Sequence, residues 1–300
     1  MGMPLRTIAA FVVAAGLGIG TLADERPARA LIRSGEFWIL AGDFHVHAFP
    51  GDGSLTSAAL RDEAVRAGLD VIAITNHNQT FTGRLGSWMA RHSAGPLVIG
   101  SEEVTHPEYH LVAVGIARGV SADQSAVDAI AAIHAQGGVA IAAQPGPAFP
   151  GYDDAAFAVV DGTEVAHPTS RDDWQRTFVA EFERARRLNP RVAPIGSSDI
   201  HVTPALGSCR TFLFVRERTA AGVLDAIREG RTVARDDAGT LYGEPALVER
   251  VRVAMPAGRS YPHEAWRRLS VVLTWIGAAG MVLCGGPARR RDLNFPSNFP

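Results

Sequence analysis

The sequence contains no lysine: all 29 basic residues are arginine. Schiff-base chemistry, pyridoxal phosphate attachment and a Walker-type phosphate loop therefore have no residue to work with. Cysteine is almost absent. Cys209 and Cys284 are the only two, and Cys284 sits in an apolar run near the C-terminus. A disulfide framework and a cysteine-based zinc site are thereby excluded. There is no excess of positive charge either. The formal net charge is −2, and no nucleic-acid partner held by a basic surface is expected. Internal repeats are missing as well. What is present is a 300-residue chain that is 47% hydrophobic, enough for one domain of about 200–250 residues with a proper core. Ten histidines stand in it, and their placement carries most of the information.

Both ends hold uncharged runs. Thr7–Ala23 follows Arg6 and precedes Asp24-Glu25. Residues 1–30 are expected to be a signal peptide or membrane anchor, with small-x-small sites at Thr21-Leu22-Ala23 and Ala28-Arg29-Ala30. Leu269–Ala288 lies between Arg267-Arg268 and Arg289-Arg290-Arg291. Twenty helical residues reach roughly 30 Å, so residues 269–288 are expected to be a transmembrane helix. The flanking arginines put both ends inside, with 289–300 as a cytoplasmic tail and the domain between them periplasmic or extracellular. Residues 247–268 read as a linker of mixed composition.

Between these ends, short Val- and Ile-rich runs alternate with helical patterns. Phe37–Ala41, Val71–Thr75, Leu97–Gly100, His110–Gly115, Val139–Ala143, Val159–Val165, Val192–Gly196 and Thr211–Val215 read as buried strands. Ser57–Ala67, Ala122–Gln136, Arg171–Leu188 and Ala220–Arg228 read as helices, each stopped by glycine or proline. The alternation implies an α/β domain over residues 31–246, with a parallel sheet covered by helices. Seven or eight units would close a barrel.

The polar clusters sit at the ends of these strands. His45 and His47, in Asp43-Phe44-His45-Val46-His47, are two apart and share one face of an extended segment. Asp52 follows in a Gly51-Asp52-Gly53 turn. A second strand ends in Thr75-Asn76-His77-Asn78. Glu102-Glu103-Val104-Thr105 precedes His110, and a late strand ends in Ser198-Asp199-Ile200-His201. In a barrel, strand ends converge on one face, so these groups can meet. Polar groups gathered there cost desolvation unless paired, and a divalent cation is the simplest common partner. His92, His106, His134 and His263 lack this context and read as surface residues.

This array resembles the PHP superfamily of polymerase and histidinol phosphatase domains. The residues that carry the likeness are Asp43–His47, Asp52-Gly53, Ala73–Asn78, Glu103-Val104-Thr105, His110-Leu111 and Ser198–His201. The resemblance implies a distorted seven-stranded (β/α) barrel with two or three divalent metals (Zn, Mn or Fe). It implies a first metal on His45, His47, Glu103 and Asp199. Glu103 would bridge to a second metal also held by His110, and Asp52, His77 and His201 would hold a third. Glu102 is the rival for the bridging role. Asp43 would orient a ligand imidazole and support metal-activated hydroxide. Two positions depart from the family pattern. Asn76 replaces an aspartate, and Gln144, in Gln144-Pro145, replaces the histidine of a His-Pro pair on the second metal. His167-Pro168, one strand later, reads as a turn at a strand end that could reach inward. The function implied is metal-dependent hydrolysis of a small molecule. Phosphoesters come first; carboxyl esters, amides or carbamates are the alternative, and a degenerate metal-binding barrel is the non-enzymatic reading.

Overall fold

Residues 4–24, 30–91, 95–168, 172–202, 205–255 and 263–284 are described by the computed structural model. His92, the Ala28-Arg29 part of the second cleavage site, linker residues 256–262 and the 289–300 tail lie outside them. The chain divides into two units, Ala28–Ala257 and a smaller one made of Met1–Pro27 with Gly258–Pro300.

The smaller unit pairs α1 (Leu5–Asp24) with α9 (His263–Leu283). Small residues let the backbones close in: Ser270 Oγ donates to the Gly16 carbonyl at 2.7 Å. A Cβ on Gly277 would lie 2.7 Å from the Val13 nitrogen. Among the described residues, no helix is long and apolar enough to cross a membrane. The uncharged part of α1, Thr7–Ala23, spans roughly 25 Å. In α9 the first turns carry Glu264, Arg267 and Arg268, and the helix ends at Leu283. Roughly 22 Å of uncharged helix is left, against about 30 Å of hydrocarbon. The membrane segments expected at the two ends are therefore not supported as spans.

The larger unit runs in chain order β1 (Ile32–Ser34), β2 (Phe37–Val46), α2 (Ser57–Ala67), β3 (Val71–Ile74), α3 (Phe81–Ala90), β4 (Leu97–His106) and β5 (Tyr109–Val114). It continues through α4 (Ala126–His134), β6 (Val139–Ala143), α5 (Asp154–Val159), β7 (Gly162–Ala166), α6 (Asp172–Leu188) and β8 (Ala193–Gly196). It closes with β9 (Arg210–Val215), α7 (Ala220–Arg228), β10 (Thr232–Arg235), β11 (Leu241–Gly243) and α8 (Pro245–Ala254). Local chemistry sets the helix ends. Thr56, Ser125 and Thr219 cap α2, α4 and α7 by accepting amide protons from the first turn. Gly68 ends α2 at φ 68°, where a side chain would be strained.

The strands form one sheet in the order β11-β10-β9-β2-β3-β4-β5-β6-β7-β8, with β1 on β2. It curls towards closure. Thr211 of β9 exchanges hydrogen bonds with Gly196 of β8 at 2.9 Å, and Thr232 of β10 donates to Pro194 of β8 at 3.0 Å. The result is an α/β, nearly closed barrel. Its sheet is mixed rather than all parallel: β4-β5-β6, β2-β9 and β9-β10 pair antiparallel. Between β4 and β5 the reason is a two-residue link, too short for a parallel crossover. Leu40, Phe44, Val71, Ile99, Val112, Ile141 and Leu213 fill the inside. Ile39, Ile72, Ile74 and Phe212 face outward onto Leu60 of α2 and Val248 and Val251 of α8. Residues 247–254, read as linker from the sequence, thus belong to a helix packed on the barrel.

Candidate metal centre

Side-chain parity and two strand irregularities aim the ligands. On β4, Ile99 belongs to the inner core while Val98 and Val104 face outward. Glu103 therefore points in and Glu102 points out. Glu102 accepts from the Val120 amide on the far side of the sheet and is not brought to the centre. Burial pushes its carboxyl above the ordinary range. On β5, His110 shares the inward parity of Val112. On β2, Phe44 is inside, yet Val46 and Ala48 pack outside. The β2–β3 register shifts between Asp43 and Val46, and this bulge turns both His45 and His47 inward. Asn78, Gln144 and Asp199 follow β3, β6 and β8 with φ of 49°, 47° and 48°. Left-handed non-glycine residues are uncommon, and here all three stand at ends of barrel strands beside the cluster.

Four buried atoms meet at the bottom of the site. His45 Nε2 lies 3.2 Å from Glu103 Oε2 and 3.2 Å from Asp199 Oδ1. His47 Nε2 lies 3.4 Å and 3.1 Å from the same two oxygens. None of the four makes a well-aligned hydrogen bond. Four tetrahedral ligands at about 2.0–2.1 Å from one ion would stand about 3.3–3.4 Å apart, so the set fits a divalent cation. Burial opposes charge throughout. It would lower the His45 pKa, but the Asp199, Glu103 and Glu164 carboxylates overcome it and hold the imidazole well above its usual value. At His47, too, burial is overcome: hydrogen bonds to Asp199 and Glu103 bring it up to about 9. In return the imidazoles overcome burial and hold Glu103 and Asp199 well below the carboxylate range.

Above these atoms lies a half-exposed rim. Asp52 Oδ1 is 3.0 Å from His47 Nδ1, and its Oδ2 is 3.1 Å from His77 Nε2 and 3.0 Å from His201 Nε2. These four residues form a second group able to hold an ion. The imidazoles oppose the effect of partial burial and lower the Asp52 pKa. Glu103 presents its other oxygen to His110 Nδ1 at 2.8 Å, the divided geometry a bridging carboxylate needs. All eight ligands expected from the sequence thus fall in one connected cluster.

Other expected positions are placed differently. Asp43 touches no imidazole. Its oxygens accept from the backbone amides of Ser198 at 3.0 Å and Gly207 at 2.9 Å, fixing the segment that carries Asp199. Burial raises its pKa, and the Ser198 side chain, followed by those amide bonds, partly offsets the rise. The residue that orients an imidazole is Glu164, 2.9 Å from His45 Nδ1. It stands inside a run read only as a buried strand. A glutamate within such a run was the available signal, since unpaired carboxylates are almost never fully buried. Asn76 braces the turn after His47. It accepts from the Ala48 amide and donates to the Ala48 and Pro50 carbonyls. Gln144 and His167 both reach the cluster, with their nitrogens 3.3 Å apart. His106 and His134 stay outside it, the former stacked on Tyr109 and the latter paired with Asp161.

A family model described as PHP-associated matches residues 183–232. No curated protein matches the chain. In structure, the chain is similar to a two-domain Bacteroides vulgatus protein containing a predicted PHP-like metal-dependent phosphoesterase. Identity is 22% and the TM-score 0.61, over 77% of this chain and 74% of that one. More distant is an amidohydrolase of Chromobacterium violaceum with bound sulfate and no metal. It shows 18% identity and a TM-score of 0.43, over 55% of this chain and 89% of that one. The matched segment lies within the larger unit, whose fold is similar to that of the Bacteroides vulgatus protein.

Proposed function

We propose that this barrel is a metal-dependent hydrolase, acting first on phosphoesters. The ring of four buried ligand atoms on His45, His47, Glu103 and Asp199 carries the reading. Mixed imidazole and carboxylate donors suit Zn, Mn or Fe. Such ions supply acidified water at neutral pH and neutralise charge on the attacked group. One ion would be held by the buried four. A further one would sit at the rim on Asp52, His77 and His201, and Glu103 and His110 would serve a position between. The chain's own groups set these up. Glu164 holds the Nδ1 side of His45, leaving the Nε2 lone pair for a cation. Asp43 keeps the Ser198–Asp199 backbone in place. The open rim is where a small-molecule substrate would meet the centre.

The Glu103-Val104-Thr105 box supports a second reading, hydrolysis of carboxyl esters, amides or carbamates. Phosphate release from a phosphoester panel, set against phenol release from aryl carbamates, separates the two. In either case a strong chelator should abolish turnover and Mn²⁺ or Zn²⁺ should restore it. His45→Ala should lose more than about 100-fold in activity together with bound metal. Full activity in a metal-free preparation would sink the hydrolase reading.

Export of the barrel is proposed on the sequence alone, from the leader-like run Thr7–Ala23 behind Arg6. An alkaline phosphatase fused after Pro245 should be active. An inactive fusion beside an active cytoplasmic reporter at the same point would refute export.

A further inference from the structure

Resting on the metal-dependent reading above, we infer that His167 is a metal ligand beside Gln144. His167 Nε2, Asp199 Oδ2 and the Gln144 amide then form a further metal position.

The first support is burial. A turn histidine after a strand would be exposed, yet His167 is 0% exposed. The second is the strand that delivers it. On β7, Glu164 points inward to His45 while Val165 and Ala166 both belong to the outer core. The β7–β8 register shifts between Glu164 and Ala166, so parity changes and His167 returns to the inner side. This is the device by which β2 aims His45 and His47. The third is distance. Gln144 Nε2 lies 2.9 Å from Asp199 Oδ2 and 3.3 Å from His167 Nε2, and the last two atoms lie 3.4 Å apart. These edges match a face of a metal's ligand shell. Asp199 uses its other oxygen on His45 and His47, so its two oxygens would serve two ions.

The Gln144 amide nitrogen lies within hydrogen-bond reach of both neighbours, and a ligand role for His167 requires the tautomer whose Nε2 carries the lone pair. A half-turn of the amide puts its oxygen in the nitrogen's place, and all three atoms are then lone-pair donors. Glu164 steadies the arrangement, because its Oε2 accepts from the Gln144 backbone amide at 2.9 Å. Amide oxygen is the weak member of the three, so occupancy should depend on His167 and Asp199.

Elemental analysis of the full chain, saturated with Zn²⁺ and desalted, tests this. His167→Ala should hold about one ion fewer per chain than wild type, and the double variant His167→Ala with Gln144→His should regain it. In ¹⁵N-histidine-labelled wild type, the His167 Nε2 resonance should move when Zn²⁺ is added. That measurement decides the matter even if His167→Ala does not fold. A wild-type metal count in His167→Ala, or a His167 resonance indifferent to Zn²⁺, would show that Gln144 and His167 are only a buried hydrogen-bonded pair. Metal loss in His45→Ala beside an unchanged count in His167→Ala would overturn this inference and leave the hydrolase reading standing. A wild-type chain that binds no ion would overturn both.

Discussion

Asn76 shows how one hydrogen count can be decisive beside the candidate metal centre. Its amide oxygen accepts from the Ala48 nitrogen at 2.8 Å, and its nitrogen donates to the Ala48 and Pro50 carbonyls at 2.6 and 3.2 Å. An aspartate has the same shape but no donors. It would set a buried carboxylate against two carbonyl oxygens, next to the turn that presents Asp52. Such an unsatisfied contact costs about 1–3 kcal/mol. Asn76→Asp should therefore lower the melting temperature by roughly 3–10 °C. Asn76→Gln would miss the same partners by one methylene and serves as the steric control. A melt of Asn76→Asp that matches wild type would mean the turn is held by other contacts.

At the scale of elements, the sequence displays its metal boxes more clearly than the framework that aims them. The His45-x-His47 spacing was legible because alternation on a strand is a local rule, whereas Asp199 and His201 follow β8 beyond its end, with Asp199 at a φ of 48°. The bulges in β2 and β7 were not legible, since a register shift belongs to a strand pair rather than to one strand. The strand at Phe37–Ala41 was legible, but its continuation to Val46 was masked by polar residues whose partners come from distant segments. Helix α3 is not among the helical patterns read from the sequence, and its Phe81–Ala90 stretch carries two glycines. Packing explains them. A Cβ on Gly83 would sit 2.7 Å from the Ile74 carbonyl oxygen, so the close approach to β3 requires glycine and outweighs its poor helix propensity. Glu164 was passed over because its partner, His45, lies 119 residues away. The antiparallel turn between β4 and β5 was in principle readable, since His106 and Tyr109 leave no room for a crossover.

For the whole molecule, the centre stores charge that the metal-free fold must balance with protons. The raised pKa of His47, about 9, lies above the ordinary 6.5, so its proton stabilises the folded chain. That contribution is complete below about pH 6.5 and disappears as pH rises through 9. His45 is raised in the same direction. Asp199 and Glu103 are lowered, so their contribution is present above the ordinary carboxylate range and is lost in acid. The metal-free chain should be most stable at mildly acidic pH. It should lose on the order of 2–3 kcal/mol between pH 6.5 and 9.5 as the imidazoles let go and leave two buried carboxylates facing each other. A divalent ion reverses this dependence, because it needs neutral imidazoles and supplies the positive charge itself. With Zn²⁺ the alkaline loss should vanish, and metal affinity should rise with pH over the same interval. Melts at pH 6 and pH 9, with chelator and with Zn²⁺, measure both effects. If the metal-free protein were equally stable at the two pH values, the imidazoles of His45 and His47 would have to be neutral already at pH 6. The four-atom ring would then be held by packing rather than by shared protons.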